Sequence, residues 1–209
     1  MKSAHTRIFF DFDLTLYDTE AFMADIRHAL RRLGSSDEQV NRGFTELNAS
    51  GYSFEAHLRL LGYPEVVVRQ TSDRLHGLLS RGEKYLLPGV RRGLSRLRRR
   101  GNECSLLTYG FPVFQEAKWQ GVSVLHKHFA RTHYVWRDST KGDVLSKYYD
   151  IPLMFCDDSP EHLLDARRKI RGSICLIRFM WPQFNLQPHP EDGKTWQVVT
   201  SMDELAKAL

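Results

Sequence analysis

The chain has 209 residues, 42% hydrophobic and 26% charged, a balance that suits a globular protein with one sizeable core or a core plus a modest inserted domain. Thirty Lys and Arg against 25 Asp and Glu give a formal charge of +5, short of the dense basic stripe of a dedicated nucleic-acid binder. No apolar run is long enough to span a membrane, and Asp11 and Asp13 interrupt the first run before it resembles a secretory segment, so a cytoplasmic protein is expected.

The first predicted strand, over residues 7–11, passes from Ile8, Phe9 and Phe10 directly into Asp11 and Asp13, with Thr15 close behind. Residues 17–84 then carry helical patterns and no convincing strand: helices over 21–33, 37–47, 54–61 and 66–79, with Ser35 or Ser36 as a cap and a break at Gly62–Pro64. A crossover between parallel strands needs one helix, so about four in this interval indicate an inserted bundle beyond the carboxyl end of the first strand. From residue 85 onward short strands alternate with helices. Strands are expected over 103–108, 132–136, 153–156, 173–179 and 196–200, and a helix beginning at Pro88 buries Val90, Leu94 and Leu97. Ser159, Pro160 and Glu161 mark another helix start, and the Pro-rich stretch 181–194 reads as a loop. Cys104, Cys156 and Cys175 are odd in number and lack CxxC spacing, which argues against a disulfide framework or zinc site and predicts buried, reduced thiols.

In open α/β sheets, ligands bind beyond the carboxyl ends of the strands. Three of these ends carry polar groups: Asp11, Asp13 and Thr15 after the first strand, Thr108 and Gly110 after the second, and Asp157 and Asp158 after the fourth. Lys141 opens the helix just before the fourth strand. Alternate residues of a strand share a face, so Asp11 and Asp13 emerge together. Any one of these residues alone would suit a turn, a cap or the surface; four such signatures in chain order point to one polar rim.

The stretches "FFDFDLTLYD", "LLTYG", Lys141 and "MFCDDSPEHLLDA" resemble the four motifs of the haloacid dehalogenase-like (HAD) hydrolase superfamily, and the resemblance spans nearly the whole chain. It implies an α/β fold, with a Rossmann-like parallel sheet of order 5-4-1-2-3 and an all-helical cap inserted after the first motif. Residues 1–16 and 85–209 would form the core and 17–84 the cap. It further implies a Mg2+-dependent phosphatase in which Asp11 is the nucleophile and forms an aspartyl-phosphate, while Asp13 protonates the leaving group and then activates water. Thr108, Tyr109, Gly110 and Lys141 would bind the phosphate. Asp11, the main-chain carbonyl of Asp13 and Asp158, helped by Asp157, would hold Mg2+. Two departures from the pattern stand out. Many relatives carry Gly at the position of Leu14, and the further acidic residue usual in the fourth motif is replaced by His162, with Glu161 and Asp165 nearby.

The expected partner is a small phosphorylated metabolite: a sugar phosphate, a nucleotide or a phosphoglycolate-like acid. The competing readings are a phosphomutase using the same residues and a retired hydrolase fold that binds nucleic acid or protein through Arg91, Arg92, Arg96, Arg98, Arg99 and Arg100. A dehalogenase would need no proton donor at Asp13. Tyr17, Phe22, Arg27, Tyr52, His57 and Arg59 are candidate substrate-lining residues. Lys118, ten residues after Thr108, is expected on the surface rather than at the phosphate.

Overall fold

The computed structural model describes residues 6–48, 50–148 and 151–208. The ends of the expected core, 1–5 and 209, lie outside the described residues. Six strands, β1 (Arg7–Phe10), β2 (Glu103–Tyr109), β3 (Phe129–Val135), β4 (Leu153–Asp157), β5 (Ile174–Phe179) and β6 (Gln197–Val199), form one sheet. Its order is β3-β2-β1-β4-β5-β6, and every pairing is parallel. The expected 5-4-1-2-3 order is therefore present, read from the opposite edge and extended by β6. β1 lies between β2 and β4, with Phe10 opposite both Leu106 and Cys156. A strand flanked on both sides and covered on both faces must be apolar along its length, which explains the run Ile8–Phe10.

Nine helices are resolved among the described residues: α1 (Thr19–Arg31), α2 (Asp37–Asn48), α3 (Phe54–Leu60), α4 (Glu65–Ser80), α5 (Val90–Arg99), α6 (Pro112–Gln120), α7 (Lys141–Leu145), α8 (Pro160–Lys169) and α9 (Met202–Ala208). Local chemistry sets several starts. Ser36 accepts from the Gln39 amide while Gln39 accepts from the Ser36 amide, a reciprocal cap on α2, and Ser53 caps α3. Ser159 caps α8, with Pro160 in its first turn.

The chain divides into two compact units. The α/β unit comprises the residues up to Asp18, Leu86–Tyr109 and those from Val124 onward. One face of its sheet buries Phe9, Leu107 and Phe155 with Leu145 of α7 and Leu163 and Ala166 of α8. α5 contributes Val90, Leu94 and Leu97 to the core and packs against α9. The helical unit comprises Thr19–Tyr85 and Gly110–Ser123, so it also takes in α6 from beyond β2. The reason is aromatic packing: Phe114 of α6 meets Tyr52 and Phe54 edge-on at 4.9 and 5.5 Å, and lies 6.3 Å from Phe22. α1 buries Phe22, Ile26 and Leu30 along one stripe of this unit.

Two expectations about exposure are corrected. Cys104 and Cys156 are buried, but Cys175 is exposed near the start of β5. Lys118 is buried rather than on the surface, its ammonium 5.8 Å from the Phe22 ring, because α6 is packed into the helical unit.

Gly121 ends α6 where a Cβ would strike the Leu79 carbonyl oxygen, a backbone atom that cannot swing aside. Gly121→Ala is therefore expected to destabilise the protein by about 2 kcal/mol, measured by urea denaturation. Unchanged stability would mean that the α4–α6 approach relaxes freely.

Candidate active site

The site is built on strand ends. Phe9 faces the core beneath α7, so Asp11, two residues on, emerges on the same side. Its amide donates to the Cys156 carbonyl, which fixes the chain where β1 passes β4. Beyond Asp11 the backbone turns tightly: the Leu16 and Tyr17 amides both donate to the Phe12 carbonyl, and Leu14 adopts φ +53°. That left-handed conformation is costly for a branched side chain and free for glycine, which is the physical reason a glycine suits this position.

Lys141 opens α7 and is almost completely buried, 1% exposed. Its ammonium donates to Asp11 Oδ1 at 2.6 Å and to Asp157 Oδ2 at 2.7 Å, and both carboxylates are themselves buried. Asp157 also accepts from the Ser159 amide at 2.9 Å, and His162 Nδ1 lies 3.3 Å from its carboxylate. Asp158 completes a cluster in which carboxylate oxygens of Asp11, Asp157 and Asp158 lie within 4.8 Å of one another. Thr108, at the end of β2, has a buried hydroxyl that meets no partner among the described residues.

Burial is the largest influence on all four ionisable groups. It pushes Asp11 up to about 7; Lys141 pulls the other way, and the charges of Asp157 and Asp13 add to the rise. Asp158 is pushed up to about 9 by burial and by the charges of Asp157 and Asp11. For Asp157 the contacts with Lys141 and His162 outweigh burial and hold it below its ordinary value. Burial disfavours the charged form of Lys141, but the two carboxylates outweigh it and raise its pKa. One lysine thus serves three clustered carboxylates, and the excess negative charge falls on Asp11 and Asp158. Oxygen-only donors with surplus charge fit a hard divalent cation.

Neither a scan against family models nor a search of curated proteins returns a match. Solved structures do match across essentially the whole chain. A haloacid dehalogenase-like hydrolase from Burkholderia xenovorans LB400 is 19% identical at TM-score 0.72, covering 98% of this chain and 96% of that one. YfnB of Bacillus subtilis, described as a HAD hydrolase bound to magnesium, is 15% identical at TM-score 0.65, with 99% of each chain covered. The L-2-haloacid dehalogenase of Xanthobacter autotrophicus, with chloropropionic acid covalently bound, is 13% identical at TM-score 0.63, with 97% of each covered. The chain has the HAD-like hydrolase fold.

Within that fold, Asp11, Asp157, Asp158 and Lys141 are brought together, and Thr108 ends the neighbouring strand. Asp13 is half-buried and acts on Asp11 through its charge. Tyr109 is exposed, and Gly110 takes φ +144°. The nearby acidic residues are committed elsewhere. Glu161 accepts from the Ser159 hydroxyl, and Asp165 accepts from Thr140 and from the Gly142 amide, bracing the turn that presents Lys141. Among the candidate lining residues, Tyr17, Phe22 and His57 are buried, Arg59 pairs with Glu65, Arg27 bonds Asn41, and the Tyr52 hydroxyl meets His57.

Sequence reading missed Arg178. This buried arginine at the end of β5 donates through Nε to the Asp158 carbonyl at 3.1 Å, through Nη2 to the Gln187 carbonyl and through Nη1 to both Asp192 oxygens. It ties the 181–194 loop to the backbone of Asp158. The available signal was a lone arginine inside the apolar run "ICLIRF".

Asp158 is the group most penalised by the crowding. Its folded-state pKa is raised, so its contribution to stability is present at low pH and lost as pH rises from its ordinary 3.8 toward 9. Asp158→Asn should therefore stabilise the metal-free protein at pH 7 by on the order of 1–2 kcal/mol, with the gain gone near pH 4. Thermal melts of both proteins at the two pH values test this; a loss of stability at pH 7 would contradict it.

Proposed function

We propose that the protein is a hydrolase of the HAD superfamily, a Mg2+-dependent phosphomonoesterase acting on small phosphorylated metabolites through an aspartyl-phosphate. The observation that carries this reading is the buried Lys141 ammonium shared by Asp11 and Asp157, with Asp158 in the same cluster. Mg2+ would be held by Asp11, Asp158 and the main-chain carbonyl of Asp13, and when bound it supplies positive charge for the phosphoryl oxygens. Asp158 is assigned as the direct ligand because Asp157 is already engaged by Lys141, Ser159 and His162.

Lys141 engages Asp11 Oδ1, leaving Oδ2 to attack phosphorus. As that bond forms, the bond to the ester oxygen breaks, and the departing oxygen takes the Asp13 proton. Asp13, now ionised, removes a proton from water as the water attacks the aspartyl-phosphate. Inorganic phosphate leaves and the Asp11 carboxylate is restored. Thr108 and the main chain at Tyr109 and Gly110 donate to the phosphoryl oxygens, and Lys141 offsets their charge. The half-buried Asp13 supports phosphoester over halide chemistry, since displacement of halide from carbon needs no proton donor. The helical unit is assigned a share of the specificity, because Asp11, Asp13, Thr108, Lys141 and Asp158 all lie outside it.

p-Nitrophenyl phosphate should be hydrolysed with Mg2+ and not with EDTA, and Asp11→Asn should abolish turnover while leaving the circular-dichroism spectrum unchanged. Activity in chelator would remove the metal from the scheme, and beryllofluoride adding to a residue other than Asp11 would reassign the nucleophile. Release of free phosphate distinguishes hydrolysis from a mutase, which returns the phosphoryl group to its substrate. Lys141→Ala should lower kcat/KM by about a hundredfold. A loss of less than about threefold would place the phosphate-binding cation elsewhere.

A further inference from the structure

The ring of Tyr109 has no part in the reaction just described. Tyr109, immediately after Thr108, is 42% exposed, unusually open for a tyrosine at the end of an inner strand. Its ring lies 5.8 Å from His162, the residue whose other contact is the Asp157 carboxylate. Trp136, the residue after β3, lies 5.9 Å from the same ring. Arg137 follows with its guanidinium 5.6 Å from the Trp136 ring and a backbone φ of +51°. Two strand ends and the first turn of α8 therefore contribute neighbouring rings that begin beside the carboxylate cluster and end at a cation. All of these residues belong to the α/β unit.

Such a row is more than filler. Its rings are half-buried or exposed, so they bury little for the core. The left-handed backbone at Arg137 is a conformation arginine rarely adopts, and strained positions of this kind gather at functional sites. Neighbouring rings tilted by 42° and 45° beside a cation can present a face to a planar, electron-rich group, which stacks on an aromatic side chain whatever its substituents. The row starts at His162, 3.3 Å from the Asp157 carboxylate of the acidic cluster, and its Tyr109 directly follows Thr108 of the proposed phosphate site.

We propose that Tyr109, Trp136 and His162 form a stacking shelf for the leaving group, so that the preferred substrates are phosphomonoesters of alcohols bearing a planar aromatic or heteroaromatic ring. This rests on the phosphomonoesterase reading above. It names the substrate class, which the catalytic residues leave open, and predicts discrimination by planarity rather than by size.

Benzyl phosphate and cyclohexylmethyl phosphate have leaving groups of similar bulk and differ in aromaticity. The protein should turn over the benzyl ester with about tenfold higher kcat/KM. That ratio should fall to near one in Tyr109→Ala and in Trp136→Ala and persist in Tyr109→Phe. Uridine 5′-monophosphate alongside benzyl phosphate tells a nucleobase preference from a simple aryl one. Binding is measured in parallel by calorimetry with benzylphosphonate and cyclohexylmethylphosphonate, which need no turnover. Equal hydrolysis of both esters with equal binding of both phosphonates overturns the shelf and leaves the phosphatase intact. Tighter benzylphosphonate binding, lost in Tyr109→Ala, with neither ester hydrolysed, keeps the shelf and overturns the phosphatase. If neither phosphonate binds and neither ester is favoured, the shelf is wrong.

Discussion

A single buried ammonium organises this protein. Lys141 lies in the interior between Asp11 and Asp157, each within 2.7 Å, and no member of the trio could be buried in charged form alone. The cation must therefore be delivered with precision, and the structure spends several elements doing so. Thr140 and Asp143 form a reciprocal cap that starts α7 at Lys141. Asp165 reaches over from α8 to the Thr140 hydroxyl and the Gly142 amide, and Lys169 neutralises both acids. Gly142 has no room for a side chain there, since a Cβ would crowd Asp165 and its backbone.

The same logic runs on the far side of the cluster. Asp158 follows the last residue of β4, and its carbonyl is held by Arg178, itself neutralised by Asp192. Trp196 donates to Asp192, and Trp181 donates to the Thr15 carbonyl behind the first acidic turn. The Pro-rich stretch 181–194 is thus a brace that carries the polar rim into the carboxyl-terminal part of the fold. Rigidity of this order suits a site that holds like charges close together, because repulsion would otherwise spread them.

The basic character of the chain finds a structural explanation as well. Arg92 and Arg96 pair with Asp203, Arg100 donates to the Ala206 carbonyl, and Arg98 donates to the Lys127 carbonyl. Four of the six arginines flanking α5 therefore fasten it to α9 or to the turn before β3. What looked like a patch for an anionic partner is in large part an interhelical seam, which weakens the reading of a nucleic-acid module on a retired fold.

Much of this was legible in the residues themselves. Six strands and the helices from α1 to α4 follow from periodicity, caps and breakers, because these act over a few residues and leave local traces. Asp11, Asp13, Thr108 and Asp158 were legible because each interrupts or closes an apolar pattern at a strand end, and Lys141 because it opens a helix beside the same rim. Three things were not. The burial of Lys118 depends on α6 joining the helical unit through Phe114, a contact with residues some sixty positions away in the chain. The division of labour between Asp157 and Asp158 depends on which carboxylate Lys141 and the Ser159 amide reach, and adjacency in sequence cannot distinguish them. The row from His162 through Tyr109 to Trp136 joins residues contributed by two strand ends and the first turn of α8, none of which signals the others. Local sequence determines what each element is and what chemistry it carries; only the packing of elements decides which charges and rings meet, because burial and proximity belong to the whole sheet rather than to any strand.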